Sequence, residues 1–100
     1  MDSDEILQKI IQIFRDTQIS EVPGYNKFGY IRETISAVIV SRQNGEDTRI
    51  PFSKIKQGIE AVKVDKKVYD DGPASLRKYG ITHINSPIWS LLRLVPKSDY

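Results

Sequence analysis

The segment NSPIWSLLRLVP, residues 85–96, constrains the fold more than any other. Ile88, Trp89, Leu91, Leu92, Leu94 and Val95 fall within eight consecutive positions. A helix with that pattern is apolar almost all round, and such a helix belongs inside a protein. Ser86 is placed to cap it, Pro87 to start it and Pro96 to stop it. The preceding segment GPASLRKYG, residues 72–80, reads as a second short helix, with Pro73 at its first position and Gly80 after its end. Two short helices about a turn outline a helix-turn-helix. A recognition helix, however, needs polar side chains that reach base edges, and this one offers little beyond Ser90 and Arg93. The tail is therefore read as the lid of a core.

A lid needs something to close. The stretch DSDEILQKIIQIFRDTQ, from residue 2, supplies it. Ile6, Ile10, Ile13 and Leu7, Ile11, Phe14 recur at spacings of three and four, one wide apolar stripe. Asp2 and Glu5 resemble a capping box, and the acidic start suits the positive end of a helix dipole. The stripe is wide enough to require burial against two further elements.

Between these ends the signals turn toward strands. Thr34, Ile35, Val38, Ile39 and Val40 are β-branched, and Asn44-Gly45 is a hairpin signal. The pattern predicts a hairpin of about residues 34–42 and 47–51. Ile31, Ile35 and Val38 also fit a helix face, in which case Gly45 would cap that helix. The segment ISEVPGYNKFGY, residues 19–30, reads as a connector carrying Tyr25, Phe28 and Tyr30, with Pro23-Gly24 as its turn. Residues 52–65 read as a helix capped by Ser53 and lined by Ile55, Ile59 and Val62; Gly58 within it marks a close neighbour. The expectation is one α+β domain over residues 1–100, with residues 97–100 frayed. A winged-helix-like arrangement fits the plan, with Arg42, Gln43 and Asn44 at the tip of the wing.

At 100 residues the chain is long enough to bury a core without metal or disulfide help. It has no cysteine, which excludes a disulfide scaffold, a thiolate zinc site and a cysteine nucleophile. One histidine is too few for a typical structural zinc site, so no metal and no cofactor is expected. The acidic N-terminus is unlike a secretory signal, and the longest purely apolar run, AVIV, is too short to span a bilayer. No membrane partner and a cytoplasmic location are the corresponding expectations.

Net charge is +2, but it is unevenly spread. Residues 1–48 carry 5 basic and 8 acidic side chains, a balance of −3, whereas residues 49–100 carry 10 and 5, a balance of +5. Asymmetry of this kind suits a nucleic-acid face. The candidate phosphate ligands are Lys54, Lys56, Lys63, Lys66, Lys67, Arg77 and Lys78, with DNA or RNA as the partner. The bland alternative is a solvated face, because Glu60, Asp65, Asp70 and Asp71 alternate with these lysines.

The expected function is a small non-catalytic binding module using this basic half. The alternative is a protein-interaction module that self-associates, as a homodimer, through its apolar helices. An enzyme is the least favoured class. Its only candidate residues are Asp70, Asp71 and His83, in a chain with no phosphate-binding loop and no dinucleotide fingerprint. Asp70-Asp71 beside Gly72-Pro73 reads more simply as a turn and a cap, and His83 beside Asn85 and Ser86 lacks the convergence that a nucleophile–base pair needs.

Overall fold

The computed structural model describes residues 1–100. Helix α1 (Ser3–Thr17) begins as the sequence predicts. The Asp2 carboxylate accepts from the Glu5 backbone N–H, and the Glu5 carboxylate accepts from that of Asp2. The reciprocal bonds satisfy two donors that a helix start leaves unpaired. Gln18 then ends the helix in the left-handed conformation, its N–H donating to the Phe14 carbonyl.

Four strands follow as an antiparallel meander in sequence order: β1 (Ile19–Ser20), β2 (Phe28–Glu33), β3 (Ala37–Arg42) and β4 (Thr48–Pro51). The predicted hairpin is β3–β4, and its turn holds Gly45 at φ +110°. The connector of residues 19–30 instead contains β1 and the start of β2. Only its middle, around Pro23-Gly24, is a turn. The reason is pairing: Ile19 and Ser20 add to the edge of β2 opposite Gly29 and Phe28, and a two-residue strand leaves no periodic signal in sequence.

Helix α2 (Phe52–Val64) starts directly after β4, with Pro51 at its cap position and no side-chain cap, so Ser53 lies inside the helix. Helix α3 (Lys67–Asp71) leads into a 3-10 segment, Pro73–Tyr79, closed by Gly80 at φ +86°. Helix α4 (Asn85–Leu92) follows, and a 3-10 turn, Lys97–Asp99, ends the chain. Its cap position is Ile84, without a side-chain bond, so Ser86 and Pro87 lie within the helix.

All the helices lie on one face of the sheet. Phe28, Val38, Val40 and Ile50 from that face meet Ile6, Ile10, Ile11 and Phe14 of α1, Ile55, Ile59 and Val62 of α2, and Ile88, Trp89, Leu91 and Leu92 of α4 in one continuous core. The lid reading of the tail holds: Trp89 is 1% exposed, and its indole N–H donates to the Val68 carbonyl at 2.8 Å. Ser90 is buried, and Arg93 lies over the rings of Tyr69 and Trp89 while donating to the Tyr69 carbonyl. Neither side chain is free to read a base. The result is a single compact α+β domain with a radius of gyration of 12.0 Å. No helix is long and apolar enough to cross a membrane.

The last residues, expected to fray, are anchored. Lys9 pairs with Asp99 at 2.6 Å, and the Tyr100 hydroxyl donates to the Leu92 carbonyl at 2.6 Å. Burial pushes the ionisation of that hydroxyl well above the ordinary tyrosine range.

Candidate nucleic-acid interface

The seven predicted cations divide into groups. Lys56 and Lys63 point from α2 toward the start of α1. The Lys56 ammonium lies 2.7 Å from an Asp4 carboxylate oxygen, and this hydrogen bond raises its pKa above the ordinary lysine value. Lys63 donates to the Met1 carbonyl at 3.1 Å. Lys66 donates to a backbone oxygen of Tyr100. Lys56 and Lys63 therefore hold the start of α1 against α2, and Lys66 holds Tyr100 just beyond that helix. Lys67 is exposed and its side chain makes no ion pair; its backbone N–H is held by Asp65 at 3.0 Å.

Lys54, Arg77 and Lys78 lie elsewhere: Lys54 in the first turn of α2, and Arg77 and Lys78 on the 3-10 segment whose end, at Tyr79 and Gly80, meets α2 at Gln57. Gln57 organises this corner. Its amide donates to the Tyr79 carbonyl, and its carbonyl accepts from the Lys54 ammonium at 3.3 Å. Gly80 makes the approach possible, because a Cβ there would come 2.8 Å from the Gln57 amide nitrogen. Its positive φ is also one that side-chain-bearing residues rarely adopt. Beside it opens a groove of about 190 Å³ lined by Lys54, Gly80, Ile81, Thr82, His83 and Ile84. Ile81 is buried and anchors the floor, while Thr82 and His83 are exposed.

Arg77 and Lys78 stand exposed on the 3-10 segment that runs into this groove. Arg77 makes no ion pair. Lys78 lies over the Tyr79 ring, 5.4 Å from its centroid, and reaches Asp65 only loosely, at 3.7 Å. Of the three cations only Lys54 lines the depression; Arg77 and Lys78 stand exposed on the segment leading into it, with N–H groups able to donate to phosphate oxygens.

Helical phase separates the groups. At about 100° per residue, Lys56 and Lys63 fall within ~20° of each other and ~160–180° from Lys54. That division is readable from sequence and limits any shared basic face to a subset of the seven.

The residues considered for hydrolysis do not assemble. Asp70 pairs with Lys97, and His83 lines the groove without either aspartate among its neighbours there. No cluster of three or more His, Asp or Glu side chains forms a metal-ligand set.

Sequence reading passed over Arg32 and Arg49. Both are exposed on strands, and neither makes an ion pair. Their positions on either side of a β-branched run were the available signal. No protein-family model, no curated protein and no solved structure matches this chain.

Proposed function

We propose that this domain is a non-catalytic binding module that contacts DNA or RNA phosphates at the corner built from α2 and residues 77–84. The observation that carries the reading is Lys54 lining an open groove beside the 3-10 segment that bears the exposed Arg77 and Lys78, with Arg77 lacking any carboxylate partner. Lys56, Lys63 and Lys66 serve the fold, and Lys67 is a separate exposed cation beyond the far end of α2. With so few phosphate ligands the binding is weak and chiefly sequence-independent, and it falls steeply with salt. The hairpin tip offers Asn44 as a further contact in a wing-like role. Gln43 there already accepts from the Lys27 N–H, and Arg42 lies over Phe28. A cytoplasmic setting accords with the cysteine-free composition.

The test is binding to labelled duplex and single-stranded DNA at two salt concentrations. Lys54→Glu/Arg77→Glu/Lys78→Glu should abolish the salt-sensitive binding, whereas Lys56→Gln/Lys63→Gln should retain it. Equal binding by both variants, or none by the wild-type chain at low salt, would overturn the reading.

The homodimeric alternative has less support. The apolar faces of α1 and α4 that motivate it are consumed within one chain. The aliphatics left exposed, Ile19, Ile31, Ile35 and Val64, lie outside those faces.

A further inference from the structure

The face of the sheet turned away from the helices has no covering element. Strand alternation places Gly29, Arg32, Ile39, Ser41 and Arg49 on it, opposite in sense to the core-facing Phe28, Val38, Val40 and Ile50. Ile39 is only half-buried and lies outside the core cluster. In register, Arg32 pairs with Ile39 and Ile39 with Arg49, so one row crosses three strands as Arg–Ile–Arg. The next row is Ile19, Gly29 and Ser41. It lies low, because a Cβ on Gly29 would come 2.4 Å from the Ser41 hydroxyl. Ile31, the extra residue of the bulge between Tyr30 and Arg32, is 41% exposed, and Ile19 is 46% exposed.

The row is electrostatically incomplete. The ion pairs of the fold involve Lys9, Arg15, Lys56, Lys78 and Lys97, and none involves Arg32 or Arg49. The nearest acid in β2, Glu33, faces the other way, where it accepts from Arg15 and Tyr30. Arg49 is steadied by donating to the Ser36 hydroxyl at 2.9 Å, which leaves its remaining N–H groups free. Two strand spacings separate the arginines, about 10 Å between backbones. Guanidinium groups bind carboxylates and phosphates alike. The surface between them is aliphatic, with no aromatic ring on which a base could stack.

We propose that this sheet face is a docking surface for an acidic segment of a partner protein. That segment would carry two carboxylates astride an aliphatic side chain. Its carboxylates meet Arg32 and Arg49, and its aliphatic group rests on Ile39 beside the shallow Gly29–Ser41 row. This surface is distinct from the α2 corner, so the two readings stand or fall separately.

The experiment is amide chemical-shift mapping of the full chain with the peptide Glu-Gly-Leu-Gly-Glu, whose first, third and fifth side chains share one face when extended. A lysine-for-glutamate counterpart and an oligouridine serve as the other probes. The glutamate peptide should shift amides of residues 29–32, 39–41 and 49 and leave residues 54 and 77–84 unmoved. Arg32→Glu/Arg49→Glu, checked for folding by circular dichroism, should weaken that binding by about tenfold or more. Lys54→Glu/Arg77→Glu/Lys78→Glu should leave it unchanged. No shifts on this face, equal response to the lysine peptide, preference for oligouridine there, or occupation of the face by a second copy on sizing would each overturn the proposal.

Discussion

The hydroxyls of Ser20 and Ser90 lie 2.6 Å apart in the interior, joining the edge strand β1 to the lid helix α4. No sequence pattern announces this pair, since serines are usually exposed. Each hydroxyl satisfies the other, and removing one strands its partner. Ser90→Ala should cost about 1–3 kcal/mol of stability. Ser20→Ala/Ser90→Ala should cost less than the sum of the single changes, because no orphan remains. Urea denaturation of the four proteins of this cycle measures the coupling.

At Gly58, α2 packs directly against side chains of α4. A Cβ there would lie 3.0 Å from an Ile88 methyl and 3.2 Å from a Leu92 methyl. Alanine would gain about 1 kcal/mol in helix propensity, and the crowding opposes that gain. Gly58→Ala should therefore be close to neutral or slightly destabilising, while Gly58→Leu should lose about 1–3 kcal/mol or more through overpacking. Thermal melts distinguish this from an exposed helical glycine, where alanine would stabilise.

The pH dependence of stability should carry two signatures. Hydrogen bonding from Arg15 holds the Glu33 carboxyl below its ordinary value of 4.5. That contribution is complete above about pH 4.5 and fades as pH falls through the lowered folded value. Glu33→Gln should flatten this acid limb, and the effect is modest because its partner Arg15 is open to solvent. Tyr100 has the opposite sign. Burial raises its pKa above 10.0, so its contribution is full below that pH and is lost as pH climbs toward the higher folded value. Denaturation midpoints across the pH range, compared with Tyr100→Phe, test both limbs.

The chain terminus should be stabilising. Tyr100 packs its ring 5.8 Å from that of Tyr69 and donates to the Leu92 carbonyl, while Asp99 pairs with Lys9. Deleting residues 97–100 should lower stability by about 1–3 kcal/mol. The emission of the single Trp89, buried beneath Tyr25 at a centroid distance of 4.8 Å, reports the unfolding directly.

What sequence revealed followed from strong local chemistry. Asn44-Gly45 marked the β3–β4 hairpin, Asp2 and Glu5 marked the start of α1, and Pro73 and Gly80 bracketed the 3-10 segment. The six apolar residues from Ile88 to Val95 identified the lid. Features set by distant partners were not legible. The first two strands depend on Ile19 and Ser20 meeting Gly29 and Phe28, and the Tyr100 anchor depends on Leu92 and Tyr69. The basic half was visible as composition, but its seven cations serve different neighbours. Lys56 and Lys63 are drawn to α1 by Asp4 and the Met1 carbonyl, which a charge count cannot foresee. Arg32 and Arg49 matter only because strand register sets them on either side of Ile39.

Lys63 in the last turn of α2 and Lys66 just beyond it hold residues from opposite ends of the sequence, one Met1 and the other Tyr100. Residues 1 and 100 are thus each held by a lysine from one short stretch of the chain. A short flexible tether joining residue 100 to residue 1, with new termini cut at Asn44-Gly45, should yield a circular permutant with the same core.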